Sequence, residues 1–101
     1  LVITDDGSNL QSSSYPYKAV IIYEGSWFAE MGDPNYLVKE SGYGNKSFVL
    51  DCAAWDRIAI DVQKQDYGSG ELTVQLVKNG EVVEEKSSTN ATGHLVINYN
   101  Y

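Results

Sequence analysis

From Pro16 onward, apolar and polar residues alternate with a period of two, and the alternation is broken at short intervals by Gly, Pro, Asn or Asp. It is cleanest from Arg57 to Lys64, where Ile58, Ile60 and Val62 fall on one face and Ala59, Asp61 and Gln63 on the other. Leu72, Val74 and Leu76 repeat it against Thr73 and Gln75, and Leu95, Ile97 and Tyr99 repeat it against Val96 and Asn98. Successive side chains of a strand point to opposite faces, so this pattern marks antiparallel strands with one face buried and one in water.

The first half carries weaker versions of the same signal. Tyr17–Tyr23 is rich in β-branched and aromatic residues, and Ser26–Met31, Tyr36–Glu40 and Lys46–Leu50 are further candidate strands. Gly32-Asp33-Pro34-Asn35 reads as a turn and Ser41–Asn45 as a loop. Asp66–Gly70 reads as a hairpin loop between the strands on either side of it. Asn79-Gly80 favours the left-handed backbone of a type I′ hairpin turn. The only helix-like window, Asp51–Asp56, is a single turn at most. The expected fold is all-β, an immunoglobulin-like antiparallel β-sandwich of about seven short strands.

The N-terminal stretch differs. Thr4–Ser14 is polar and buries too little apolar surface to offset an ordering cost of ~1–2 kcal/mol per residue. Residues 1–15 are therefore expected to be a linker or tether, and residues 16–101 the sandwich domain. Leu1-Val2-Ile3 fits either the remnant of a membrane-spanning helix or a short first strand.

Composition narrows the function. The 101 residues are 43% hydrophobic and 12% aromatic, enough for one domain with a real core. Seven basic residues against fourteen acidic ones give a net charge of −7. A field of that sign repels phosphates, so nucleic acid is not an expected partner, nor is a bare anionic membrane. A single cysteine leaves no intrachain disulfide and no Cys-rich zinc site.

Few residues offer chemistry. His94 is the only histidine and lies on the strand face opposite Leu95 and Ile97, which suits a surface residue. Cys52 has Asp51 beside it, and a neighbouring carboxylate disfavours the thiolate, so a buried structural thiol is expected. Asp5-Asp6-Gly7-Ser8-Asn9 has the residue types of a calcium loop without EF-hand spacing, and a solvated acidic surface explains the acidic residues without a metal. No phosphate loop, nucleophile elbow or His/Asp constellation is present, so the expectation is a protein that is not an enzyme and holds no cofactor. The aromatic residues Trp27, Trp55, Tyr43 and Tyr67 are the candidate ligand-binding positions, since flat rings stack on the apolar faces of sugars, although core and rim roles account for such rings better than a sugar platform does. Two Asn-x-Ser/Thr sequons occur, Asn45-Lys46-Ser47 and Asn90-Ala91-Thr92, both in expected loops; they matter only where exported proteins are glycosylated, and chance occurrence is the default reading.

The segment Val62–Val83, with Ile21-Ile22-Tyr23-Glu24-Gly25-Ser26-Trp27 before it, resembles the membrane-anchored extracytoplasmic β-sandwich domains of archaea and bacteria, including the mycobacterial MmpS type. The likeness spans residues 17 to 99. It implies one N-terminal spanning helix, a short polar linker and a sandwich outside the membrane. For the MmpS type it also implies an accessory role beside a lipid transporter. Cys52 stands alone here, where the MmpS type usually has a cysteine pair. The expected partner is thus another envelope or membrane protein, with the membrane reached only through a segment before Leu1. A carbohydrate-binding module and a subunit of a surface layer or filament are the competing expectations.

Overall fold

The computed structural model describes residues 2–5, 15–53 and 55–100, the first of these through its backbone. Among the described residues nine strands form: β1 (Val2–Asp5), β2 (Tyr17–Ile22), β3 (Ser26–Asp33), β4 (Tyr36–Tyr43), β5 (Lys46–Leu50), β6 (Ile58–Lys64), β7 (Leu72–Lys78), β8 (Glu81–Ser88) and β9 (His94–Tyr99). They build two antiparallel sheets, one in the order β1-β5-β2-β7-β8 and one in the order β4-β3-β6-β9. The chain is an all-β sandwich of two antiparallel sheets. Its strand count exceeds the expected seven or so because the edge strands β1 and β8, whose own patterns are weak, are drawn into pairing by their neighbours.

The inner faces follow the period-two pattern. Tyr17, Ala19, Ile21, Phe48, Leu50, Leu72, Val74 and Leu76 line one wall of the core. Trp27, Ala29, Met31, Ile58, Ile60, Val62, Leu95 and Ile97 line the other. Each of the larger aliphatic, Met and Phe side chains among them contributes ~1.5–3 kcal/mol on full burial, and the two alanines less. The Trp27 and Phe48 rings meet edge to face at 6.0 Å across the core, and Tyr17 meets Tyr99 in the same way.

Three boundaries depart from the sequence reading. β3 and β4 pair from Ser26↔Tyr43 to Asp33↔Tyr36, so the expected loop at 41–45 shrinks to Gly44-Asn45. Pairing with β3 holds Ser41 and Gly42 in a strand that their own propensities do not favour. The segment 65–71 is not a hairpin loop. β6 and β7 belong to different sheets, and the segment crosses the sandwich between them. The two alternating strands face each other across the core rather than lying side by side. Third, Val2–Asp5 pairs with β5 from Val2↔Leu50 to Asp5↔Ser47, so Val2-Ile3 form the short first strand, one of their two readings, and the strand extends into Thr4-Asp5 of the expected tether. Residues 6–14 of that tether, including Asp6-Gly7-Ser8-Asn9, lie outside the described residues. Asn79 and Gly80 adopt φ of 51° and 85°, the left-handed pair that a type I′ turn requires.

The strand directions give the sandwich two unlike ends. β1 begins and β9 finishes at one end, beside the turns at 34–35, 51–57 and 79–80. Segments 23–25, 44–45, 65–71 and 89–93 gather at the opposite one, termed the loop end below.

Candidate functional site

The loop end is organised around one buried cation. Lys64 continues the inward phase of Ile58, Ile60 and Val62 and is 2% exposed. Its Nζ donates to the carbonyls of Gly68 at 3.0 Å and Gly70 at 2.5 Å and lies 5.1 Å from the centre of the Tyr23 ring. These contacts offset the cost of taking an ammonium out of water. They also clasp the 65–71 segment to the end of β6.

Tyr23 and Asp66 form the second clasp. The Tyr23 hydroxyl donates to Asp66 Oδ1 at 2.5 Å, and the same oxygen accepts the Gly68 N–H at 3.0 Å. The bond to Asp66 pushes the Tyr23 phenol up to about 12, with burial and the nearby Asp66 and Glu24 charges adding to it. That bond also holds the Asp66 carboxyl below its ordinary range, helped by the Gly68 N–H and the Lys64 charge and opposed by burial. Gly25 and Gly70 leave room for the acids: a methyl at Gly25 would overlap the Asp66 carboxylate, and one at Gly70 would overlap that of Glu24.

The remaining loops are tied in through the backbone. Tyr23 N–H donates to Asn45 Oδ1 at 2.9 Å, and Gly44 N–H to the Gly25 carbonyl at 3.1 Å. Trp27 Nε1 donates to the Gly44 carbonyl at 2.9 Å. Gly42 sits opposite Trp27 in register, where an added Cβ would come within 2.8 Å of the indole.

On this scaffold two aromatic rings stand in solvent. Tyr43 is 71% exposed and Tyr67 is 73% exposed. Tyr67 adopts φ 56°, a left-handed backbone that costs a non-glycine residue ~1–2 kcal/mol. The hydrogen bonds of Asp66 and Lys64 to Gly68 on its far side hold it there. Tyr43 also walls a groove of about 510 Å³ that is lined further by Ile22, Tyr23, Glu24, Gly44, Asn45 and Glu71.

The other candidates lie elsewhere. Trp27 is 1% exposed and presents no ring face to a ligand. Trp55 is 74% exposed but sits in the 51–57 segment at the opposite end, the end that also carries the 81% exposed Tyr36. The four aromatic residues singled out from the sequence therefore do not form one platform: Tyr43 and Tyr67 share an end, Trp55 is remote and Trp27 is core. Cys52 is buried, and burial first, then Asp56, Asp33 and Asp51, pushes its thiol up to about 11. His94 Nε2 lies 2.6 Å from Asp61 Oδ1 on the outer face of the four-stranded sheet, at the end away from Cys52, a His/Asp pair that the sequence reading does not find because its members lie 33 residues apart on paired strands. Among the described residues no group of three or more His, Cys, Asp or Glu side chains is placed to hold a metal.

Lys64 and Asp66 were not singled out from the sequence. The signal for Lys64 was present, since it extends the inward period of β6 by one step. Nothing in the sequence marks Asp66, whose partner Tyr23 lies 43 residues away. The chain matches no protein-family model, no curated protein and no solved structure.

Proposed function

We propose that this chain is a non-enzymatic, extracytoplasmic β-sandwich, tethered to a membrane by a segment before Leu1, that works through contacts with another envelope or membrane protein. The observation that carries the reading is the polarity of the sandwich. β1 starts and β9 finishes at one end, while the exposed Tyr43, the last residue of β4, and Tyr67, on the braced 65–71 segment, stand at the other. A tether leaving ahead of β1 holds the loop end away from the membrane. Tyrosine suits a protein contact because it offers a large rigid surface at low entropic cost.

A carbohydrate reading draws support from the same groove, where the Tyr43 ring stands beside Asn45, Glu24 and Glu71. It is the second choice because neither tryptophan joins that groove. The filament reading is weakened by charges on exposed edges, Lys39 on β4 and Glu84, Glu85 and Lys86 on β8, which discourage strand pairing between chains.

Protease treatment of intact source cells, followed by membrane fractionation, tests the placement. The account expects the domain to sediment with membranes and to be cut from the outside. A protein recovered in the cytosolic fraction and shielded from protease contradicts it. Binding on a glycan array that is lost in Tyr43→Ala would favour the carbohydrate reading.

A further inference from the structure

The two sequons differ in a way that only the fold reveals. Asn45 is exposed, but its carboxamide oxygen accepts the Tyr23 N–H at 2.9 Å and so helps close the loop end. Its hydroxyl partner, Ser47, is in β5, paired on one side with Asp5 and on the other with Val20. Lifting that sequon into an enzyme's active site requires breaking a central strand.

Asn90-Ala91-Thr92 is outside every strand. All three residues are exposed, and the segment projects between β8 and β9. Its ordered contacts run through the backbone: Asn90 N–H donates to Ser88 Oγ at 3.2 Å, and Gly93 N–H donates to the Asn90 carbonyl at 3.0 Å. The Gly93 carbonyl accepts the Lys64 N–H at 2.9 Å, so the turn is anchored at its base while its tip stands clear. A surface turn of this kind is where a bulky polar modification is accommodated without loss of core packing.

We propose that Asn90 is an N-glycan acceptor in the folded domain and that Asn45 is not. The donor class is an oligosaccharide linked to a lipid through a diphosphate. Nδ2 of Asn90 attacks the anomeric carbon, a C–N bond forms, and the C–O bond to the diphosphate breaks. The lipid diphosphate leaves with the electron pair, and the Nδ2 proton passes to a base of the transferase. No oxidant or reductant is needed. The glycan then stands on the turn between β8 and β9 at the loop end, and none of residues 89–93 lines the groove.

In the cell this rests on the extracytoplasmic placement proposed above, because such transfer takes place outside the cytoplasm. The acceptor itself is testable without that placement. The folded chain is incubated with a purified oligosaccharyltransferase and a lipid-diphosphate-linked oligosaccharide, and the product is mapped by mass spectrometry of its peptides. A peptide spanning residues 86–96 serves as the unfolded comparison. The proposal expects one glycan, located on Asn90, lost in Asn90→Gln and in Thr92→Ala and retained in Asn45→Gln. A glycan on Asn45, or transfer to the peptide but not to the folded chain, overturns it, as does failure of both. Transfer in vitro together with bare Asn90 in native protein supports the acceptor and counts against the extracytoplasmic placement.

Discussion

Replacing Lys64 with Met isolates the ammonium that organises the loop end. Methionine keeps most of the apolar stem and removes the donor. The Gly68 and Gly70 carbonyls then lose their bonds at 3.0 and 2.5 Å, and the Tyr23 ring loses the charge on its face. A hydrogen bond from a charged donor contributes ~1.5–3 kcal/mol, and an acceptor left unpaired in a buried place costs ~1–3 kcal/mol. Both glycines are half-buried, so water recovers part of the loss, and the expected net cost is about 2–4 kcal/mol. Against a total stability of ~5–15 kcal/mol this is a large fraction. For a domain of this size it corresponds to a fall in Tm of roughly 10–25 °C. Urea denaturation should show a lower midpoint at an unchanged slope. Exchanging a buried charge for a well-packed apolar side chain stabilises some proteins, which makes the sign of the change decisive. A Lys64→Met variant within about 0.5 kcal/mol of the parent, or above it, would refute the view that the ammonium clasps the 65–71 segment.

Gly42→Ala places a Cβ within 2.8 Å of the buried Trp27 indole and should cost ~1–3 kcal/mol in a thermal melt; unchanged stability would mean the ring moves freely. The Cys52 thiol ionises only near 11 when folded, so alkylation by iodoacetamide at pH 8 should be slow in native protein and fast in denaturant. The same shift means the unfolded chain loses its thiol proton first, so Cys52 contributes stability that falls as pH rises from about 9 to 11; a Cys52→Ala variant should lack that component. Asp66 ionises below its ordinary range, so its contribution is present above that range and fades as pH falls through its depressed value; Asp66→Asn should flatten the acid limb of the stability curve.

How much of this was legible in the sequence depends on which interactions are local. The clean alternation in β6, β7 and β9 and the Asn79-Gly80 turn are properties of a few adjacent residues, and each appears where the pattern puts it. The extent of β4 was not legible, because Ser41 and Gly42 are strand residues only by virtue of the partners Phe28 and Trp27. Alternation shows which face is buried but not which sheet a strand joins, so the 65–71 segment read as a hairpin loop when it is a crossing. The aromatic candidates failed to resolve for a related reason. Trp27 and Trp55 are chemically alike in the sequence, and only the packing of two sheets makes one core and the other surface. The bracing of the loop end joins Tyr23 to Asp66 and Asn45, and Lys64 to two glycine carbonyls, contacts that a one-dimensional period does not encode.

The central claim is that the loop end is the contact face. The most direct measurement is photo-crosslinking in living source cells, with a benzophenone amino acid placed singly at Tyr43, Tyr67, Tyr36 or Trp55. All four positions are exposed, the first two at the loop end and the last two at the other. The account predicts a discrete adduct with one envelope or membrane protein from Tyr43 and Tyr67, and none from Tyr36 and Trp55. Adducts from Tyr36 and Trp55 alone, or a diffuse ladder from all four positions, would contradict it.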